Sequence, residues 1–271
     1  MRFGLSFPNF GVYASPDVVV ELARAAEVGG WDGFFVWDHI VVADGMPVAD
    51  PWVLLGAVAV ATERVALGPM VAALPRHRPW EVARKAVTLD HLSGGRFVLG
   101  VGLGFPPAEE FGTFGGPTDA RVRAEMLDEE LDIIEGVWSN EPFGYDGSHY
   151  RVETTTFAPA PGRRIPIWVA GMLPNRRPFR RAARFDGVFP IREDMGDMTP
   201  DDVEEVTALV LGERGSLEGF EVVISGPRRP DSELRQLEEA GVTWYLEGPP
   251  WEPEPVERTL TWVRAGPRRA R

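Results

Sequence analysis

The chain has no cysteine and only one lysine, Lys85. Without thiols there are no disulfides, thiolate nucleophiles or thiolate metal sites, and nothing marks an oxidising compartment. The lone lysine falls within a helical stretch, which argues against an isomerase or lyase that needs a lysine at a strand end. No run approaches the ~20 apolar residues of a membrane span. The first residues, MRFGLSFPNF, alternate like a strand and lack the basic start and long apolar core of a signal peptide. The expected location is the cytoplasm. Positive charge is scarce too: 41 acidic residues face 28 basic ones, for a net charge of −13. Such a field repels phosphate backbones and anionic lipid, so neither nucleic acid nor membrane is an expected partner. The four histidines show no metal-site spacing, and no metal is expected.

What is present is an alternation of short β-rich runs with amphipathic segments, at a spacing that fits about eight units into 271 residues. Strands are expected at 3–8, 33–38, 65–71, 97–101, 165–171, 186–191, 220–225 and 243–247. Ser15 before Pro16 and Asp50 before Pro51 read as helix caps. Leu127, Leu131, Ile134 and Trp138 give one helix an unambiguous apolar face. Between 141 and 164 the rhythm fails, and Asp146-Gly147 between aromatic arms suggests a type I′ hairpin, read as an insertion before strand five. The tail from 266 to 271 has no apolar face and is expected to fray. The fold class this suggests is α/β, a (β/α)₈ TIM barrel forming one domain over 1–271. A doubly wound open sheet gives the same local pattern.

In a barrel the reactive groups follow the strands, at the mouth built by the βα loops. Those positions hold Asn9, then Trp37, Asp38 and His39, then Met70 and Val71, then Gly102, Leu103 and Gly104 of GVGLG, and then Gly171. Glycines there let a ligand approach the backbone. Beyond strand five, Asn175, Arg176 and Arg177 open a helix that also carries Arg180, Arg181 and Arg184. A helix start with free amides and arginines is a credible phosphate site. Arg181 and Arg184 are expected on a solvated face.

The segment LGPMVAALPRHRPWEVARKAVTLDHLSGGRFVLGVGLG, from Leu67 to Gly104, resembles one shared by luciferase-like monooxygenases and coenzyme F420-dependent oxidoreductases. VWDHI, DGSHYRV, IPIWVAG and ARFDGV extend the likeness over nearly the full length. The resemblance implies the closed barrel and a flavin or deazaflavin ring in its mouth: reduced FMN or coenzyme F420. It implies a cis peptide between Met70 and Val71 under the ring, and His39 near the ring's reactive edge, with Asp38 as the partner that orients it. Trp37, Asn9 and Phe105 are expected on the substrate pocket, and Trp31 and Trp52 are weaker candidates for its apolar wall. His77, His91 and His149 are weaker catalytic candidates. F420-dependent sugar dehydrogenases of this likeness carry a glutamate directly after GVGxG, where this chain has Phe105, with Glu109 and Glu110 only later. Bacterial luciferase has a phosphate-binding arginine where Leu103 stands.

The leading expectation is therefore a monooxygenase using reduced FMN and O₂ on a small organic substrate, served by a separate flavin or F420 reductase. The rival is an F420-dependent hydride-transfer dehydrogenase or reductase. A third reading is a flavin-binding protein without turnover. A homodimer is expected from the family likeness alone.

Overall fold

The computed structural model describes residues 1–43, 45–250 and 254–268. Its strands are β1 (Arg2–Phe7), β2 (Gly33–Val36), β3 (Ala66–Pro69), β4 (Ala72–Ala73), β5 (Leu99–Gly102), β6 (Phe143–Asp146), β7 (Arg151–Thr155), β8 (Ile167–Leu173), β9 (Gly187–Arg192), β10 (Glu221–Gly226) and β11 (Trp244–Glu247). The helices are α1 (Pro16–Gly29), α2 (Pro51–Ala61), α3 (Pro79–Leu92), α4 (Pro107–Glu110), α5 (Ala120–Trp138), α6 (Arg177–Ala182), α7 (Pro200–Arg214), α8 (Asp231–Glu239) and α9 (Val256–Ala265).

All strands but β6 and β7 form one parallel sheet in the order β3-β2-β1-β11-β10-β9-β8-β5-β4. β3 and β4 are two halves of one barrel strand, interrupted at Met70-Val71, whose peptide bond is cis. The first half meets the segment before β5, where Val98 N–H donates to Leu67 O at 2.9 Å. The second half pairs Ala72 with Val101 and Ala73 with Gly102. The sheet thus closes into eight parallel strands, the (β/α)₈ barrel, and the open-sheet alternative falls. Closure depends on Gly68, because a Cβ there would lie 1.9 Å from Val98 O.

Strand alternation sorts side chains to two cores. Phe35, Met70, Val98, Trp168, Phe189, Val223, Trp244 and Leu246 fill the barrel interior. Leu5, Phe7, Phe34, Leu99 and Ile167 face outward under the helices, against stripes such as Val19, Leu22, Ala23 and Ala26 of α1 and Leu127, Leu131 and Ile134 of α5. Arg96 ties the layers together by donating to carbonyls of Ala59, Thr62, Val65 and Ser93 and to Thr62 Oγ1. It thereby satisfies the free carbonyls at the end of α2.

Asp50 caps α2 at Val53 N–H and Asp119 caps α5. Ser15 does not cap α1: its side chain makes no capping bond, and Pro16 alone sets the start. β6 and β7 form an antiparallel hairpin between α5 and β8. Its turn is not type I′ at Asp146-Gly147. Asp146 still pairs with Arg151, and the loop is 147–150, held by the Glu129 carboxylate accepting from the amides of Ser148, His149 and Tyr150. The tail does not fray from its start either, because Gly266 is buried against Gly29 and its carbonyl accepts from Arg228. The rest of that expectation, at 269–271, lies outside the described residues.

Glu130 of α5 is fully buried, and its Oε1 accepts from Tyr150 Oη at 2.6 Å. Burial pushes its pKa from 4.5 up to about 8. Unfolded chains lose this proton above 4.5 while folded ones keep it, so stability falls as pH rises between those values. Glu130→Gln should therefore be near neutral at pH 5 and stabilising by on the order of 2–4 kcal/mol at pH 8.5. Urea unfolding at both pH values checks this, and an equal shift at both would contradict it.

Candidate active site

The mouth of the barrel lies at the strand ends of β1, β2, β4, β5 and β8. Its upper interior is built of small residues. Ser6, Gly102 and Ala170 face inward above the filled interior, and Trp37 Nε1–H donates to Ser6 Oγ at 2.9 Å. A Cβ on Gly102 would come 2.9 Å from Val71 Cγ2 and 3.4 Å from Ala170. Val71, on the break between β3 and β4, thus packs directly against Gly102, where only glycine fits, with Ala170 alongside.

Beside this space sits a buried network of charge. Arg76, from the turn after β4, donates through Nη2 to Asp38 Oδ1 at 2.5 Å and to the Asp38 carbonyl at 2.9 Å. Its Nη1 donates to Glu110 Oε2. Side-chain exposure is 2% for Asp38 and 1% for Glu110, so one guanidinium bridges two carboxylates away from water and offsets only half of their charge. Each carboxylate also meets a histidine: Glu110 Oε1 lies 2.8 Å from His39 Nδ1, and Asp38 Oδ2 lies 3.1 Å from His77 Nε2. Burial pushes Asp38 upward, yet the His77 bond, the charge of Arg76 and the Ala73 amide together hold it below its ordinary value.

His39 is a quarter exposed, with its ring edge-on to Phe10. A carboxylate beside a guanidinium accepts, so Nδ1 carries the proton toward Glu110 and Nε2 is the ring nitrogen not committed to it. Local sequence explains the placement of Glu110. Pro106 and Pro107 start the single turn α4, and Phe111 behind it is buried under the Arg123 guanidinium, which turns Glu110 inward and leaves Glu109 exposed. Arg123 also donates to the carbonyls of Leu103 and Gly104, fixing the loop after β5. Gly104 sits at φ +78, where its position against Phe111 and Ala73 leaves no room for a side chain.

Several expected residues occupy other roles. Asp38 does not orient His39; it holds Arg76, His77 and the Ala73 amide, and Glu110 takes the expected place. Asn9 is no pocket wall, because it is fully buried, donates to the carbonyls of His39 and Ala49, and accepts from the His39 amide. It anchors the backbone of His39. Gly171 points away from the mouth, where a Cβ would strike Pro178 and Phe179 of α6. Trp31 and Trp52 are core residues, and His91 is in the last turn of α3. His149 packs in the hairpin, 3.5 Å from Glu125. Phe105 is 52% exposed in the loop after β5, and Ile40 and Met195, in the loops after β2 and β9, are also exposed.

Beyond β8 the Asn175 side chain accepts from the Arg177 amide, and exposed Arg176 pairs with Glu205. Arg177 is exposed without a side-chain partner among the described residues. Arg181, expected on a solvated face, is buried on Asp128 and the Ala124 carbonyl; Arg184 bonds Asp132. Arg76, Glu110 and Arg123 were not legible as site residues. Each lies in a turn too short to show a periodicity, or on a helix whose stripe is defined by its apolar members.

The mouth of the closed barrel thus joins a cradle of small residues to a histidine–carboxylate pair. The family model for luciferase-like monooxygenases matches residues 1–228, and the chain belongs to that family. Membership places it among oxidoreductases. It is 31% identical over 251 residues to the uncharacterized protein Rv0940c of Mycobacterium tuberculosis, covering 84% of each chain. It is 34% identical over 181 residues to an F420-dependent glucose-6-phosphate dehydrogenase of Nakamurella multipartita, covering 64% of this chain and 51% of that one. In structure it matches a coenzyme F420-dependent tetrahydromethanopterin reductase of Methanopyrus kandleri with a TM-score of 0.79, at 18% identity and 98% coverage of both chains. It matches the monooxygenase RslO1 of Streptomyces bottropensis with a TM-score of 0.71, at 25% identity, covering 89% of this chain and 75% of that one. Among the described residues no helix is long and apolar enough to cross a membrane.

Proposed function

We propose that the chain is a coenzyme F420-dependent oxidoreductase acting on a small organic alcohol or carbonyl compound, with His39 as its proton-exchanging group. The observation that carries this reading is the pairing of His39 with Glu110 across Arg76. In the sequence the Asp38-His39 pair after β2 leans toward hydride transfer, and the lack of an acid directly after GVGLG leans away from it. Glu110, from that same loop, supplies the carboxylate by another route. The 34% identity to an F420-dependent dehydrogenase supports the choice of coenzyme. Exposed Ile40, Phe105 and Met195, on loops that follow barrel strands, favour an apolar substrate over a sugar phosphate.

The residues present fit such a coenzyme, since Ser6, Gly102 and Ala170 put only small side chains above the filled interior. Met70, Val71, Gly102, Leu103 and Gly104 would hold the ring, and Asn175, Arg176 and Arg177 its phosphate. When bound, the coenzyme supplies a two-electron hydride donor or acceptor. His39 Nε2 takes the proton of a substrate hydroxyl, or returns one to a carbonyl oxygen. The Glu110 carboxylate balances the imidazolium this creates, and Arg76 keeps that carboxylate in place. Trp37 and Phe10 flank the imidazole and limit water around it.

The family's name and the 25% identity to RslO1 favour a second reading, a monooxygenase using reduced FMN and O₂. A separate flavin or F420 reductase would renew the coenzyme in either case. Titrating the purified protein with FMN and with F420, then reducing and admitting oxygen, separates the two. Tight F420 binding with oxygen-independent turnover of an alcohol or ketone is expected. Binding of FMN alone with oxygen consumption would sink the F420 reading.

The phosphate assignment is tested separately. Arg177→Ala should weaken coenzyme binding about 10- to 100-fold, as loss of a charge-assisted hydrogen bond does, while Arg176→Ala, whose charge is already shared with Glu205, should cost less. Equal affinity of both variants and the parent in a fluorescence titration would remove the phosphate from this helix start.

The outer face of α2 supports a homodimer. Val53 and Val60 are 71% and 69% exposed, with Gly56 and Ala57 between them on the same stripe. A helix apolar on both faces is ordinarily buried on both. Sedimentation should find a dimer that Val53→Glu with Val60→Glu converts to monomer; a parent protein already monomeric at tens of micromolar would end the proposal.

A further inference from the structure

The opposite end of the barrel, where the strands begin, holds a recess of about 470 Å³. This volume falls within the ~300–1,000 Å³ common for small-molecule sites. Its rim is basic in an acidic protein: Arg2, Arg64, Arg96, Arg163 and Arg164 line it, against Asp32, Asp186 and Glu221. Its floor is made by the indoles of Trp168 and Trp244, which are 2% and 3% exposed.

Hydrogen bonding in this recess is lopsided. The acceptors are occupied: Asp186 takes Arg164 and the Ile167 amide, Glu221 takes Arg2 and Thr243 Oγ1, and Asp32 takes the Phe3 amide. The surplus lies in donors. Trp168 Nε1–H, Trp244 Nε1–H and Arg163 Nε–H are buried without a partner among the described residues. A buried donor left unmade costs about 1–3 kcal/mol, so three in one wall call for an acceptor. Arg96 contributes charge without a spare N–H, since backbone carbonyls and Thr62 occupy its donors. The unmet need is therefore for oxygen acceptors, and although Arg2, Arg163 and Arg164 pair with Glu221, Asp90 and Asp186, Arg64 and Arg96 against Asp32 leave the recess net positive.

We propose that this recess is a second binding site, for a small multi-oxygen anion such as a dicarboxylate or a phosphate. The anion accepts from the two indoles and Arg163 Nε, with small side-chain shifts opening the floor, and the arginine rim supplies the attraction. The site is separated from the mouth by the filled interior of Phe35, Met70, Val98 and Phe189. It is independent of the coenzyme reading. Residues at this end of a barrel serve stability, so occupancy should raise the unfolding temperature and leave turnover unchanged.

Indole ¹⁵N–¹H spectra read the site directly. Nine tryptophans give nine expected signals, and Trp168→Phe and Trp244→Phe assign the two that matter. Sodium succinate and inorganic phosphate are titrated in separate arms at ionic strength matched with sodium chloride. The expected result is a saturable shift of both signals in at least one arm, with the Trp37 signal still. The responding arm names the source, carboxylate or phosphate, and Arg163→Gln should weaken that response at least five-fold. Trp168 and Trp244 signals that stay fixed in both arms, or a response confined to Trp37, would overturn the proposal. Should a tryptophan variant not fold, Arg163→Gln against the parent still decides, because an unchanged midpoint also overturns it.

Discussion

His39→Ala should lower kcat by about 10²- to 10⁴-fold, the range over which a positioned acid–base group acts, while coenzyme affinity changes little. The expectation rests on what surrounds the ring. Nδ1 is committed to Glu110 at 2.8 Å, the His39 backbone is clamped at both its amide and its carbonyl by Asn9, and the exposed quarter of the side chain belongs to the mouth. Such support is more than a solvated loop histidine receives, and it fixes where Nε2 points. Glu110→Gln keeps an acceptor for Nδ1 but removes the charge that offsets an imidazolium. It should therefore lower kcat less than His39→Ala and leave KM nearly unchanged. Steady-state kinetics with saturating coenzyme checks both. A His39→Ala enzyme with the parent's kcat would leave the histidine as scaffold and favour a protein that binds its coenzyme without using it.

The barrel was legible because its evidence repeats. Eight β-rich runs spaced by amphipathic stretches each have a strand at nearly the expected place, and α5 shows its apolar face through Leu127, Leu131 and Ile134. What the pattern hid was local. A run such as VALGPMV reads as one strand because every residue suits one; the break after Pro69 is a backbone event with no side-chain signature, and only the family likeness pointed to it. The hairpin turn was misread for a related reason. Asp146-Gly147 has the composition of a two-residue turn, but Glu129 on α5 offers a carboxylate to three successive amides, and that tertiary contact selects a longer loop.

The site was legible by position and illegible by partnership. His39, Asp38 and Asn9 all follow strands, and adjacency in sequence suggested that Asp38 serves His39. Successive residues point in different directions, so neighbours in the chain are poor candidates to bond each other. Asp38 reaches 38 residues along to Arg76, while His39 reaches 71 residues along to Glu110. Nothing in PPAEEF distinguishes Glu109 from Glu110 until Phe111 is known to be buried.

Arg76→Met should be the most destabilising single change in this region, by about 3–5 kcal/mol at neutral pH, the usual cost of stranding buried charge. Against a total of roughly 5–15 kcal/mol for a domain, that is a large share of the stability. Two carboxylates that are 2% and 1% exposed would lose their common cation. Lysine should recover only part of the loss, because an ammonium cannot reproduce the fork that spans both acids. The pH dependence distinguishes charge from packing. Burial pushes the Asp38 pKa up, and the His77 bond and Arg76 outweigh it, so in the parent Asp38 adds stability above its ordinary 3.8 that is lost as pH falls through its lower folded value. With Arg76 gone, burial meets weaker opposition, the folded pKa rises, and protonation relieves the variant. The gap between variant and parent should accordingly narrow from pH 7.5 to pH 4.5 in denaturant unfolding; a constant gap would mean lost packing instead. Arg76 also holds the Asp38 carbonyl, one residue before His39, and the Glu110 carboxylate beside its ring. Its effect on kcat should therefore run through that histidine. Arg76→Met should slow the parent enzyme but add little in a His39→Ala background, and additive losses would assign Arg76 a separate task at the mouth.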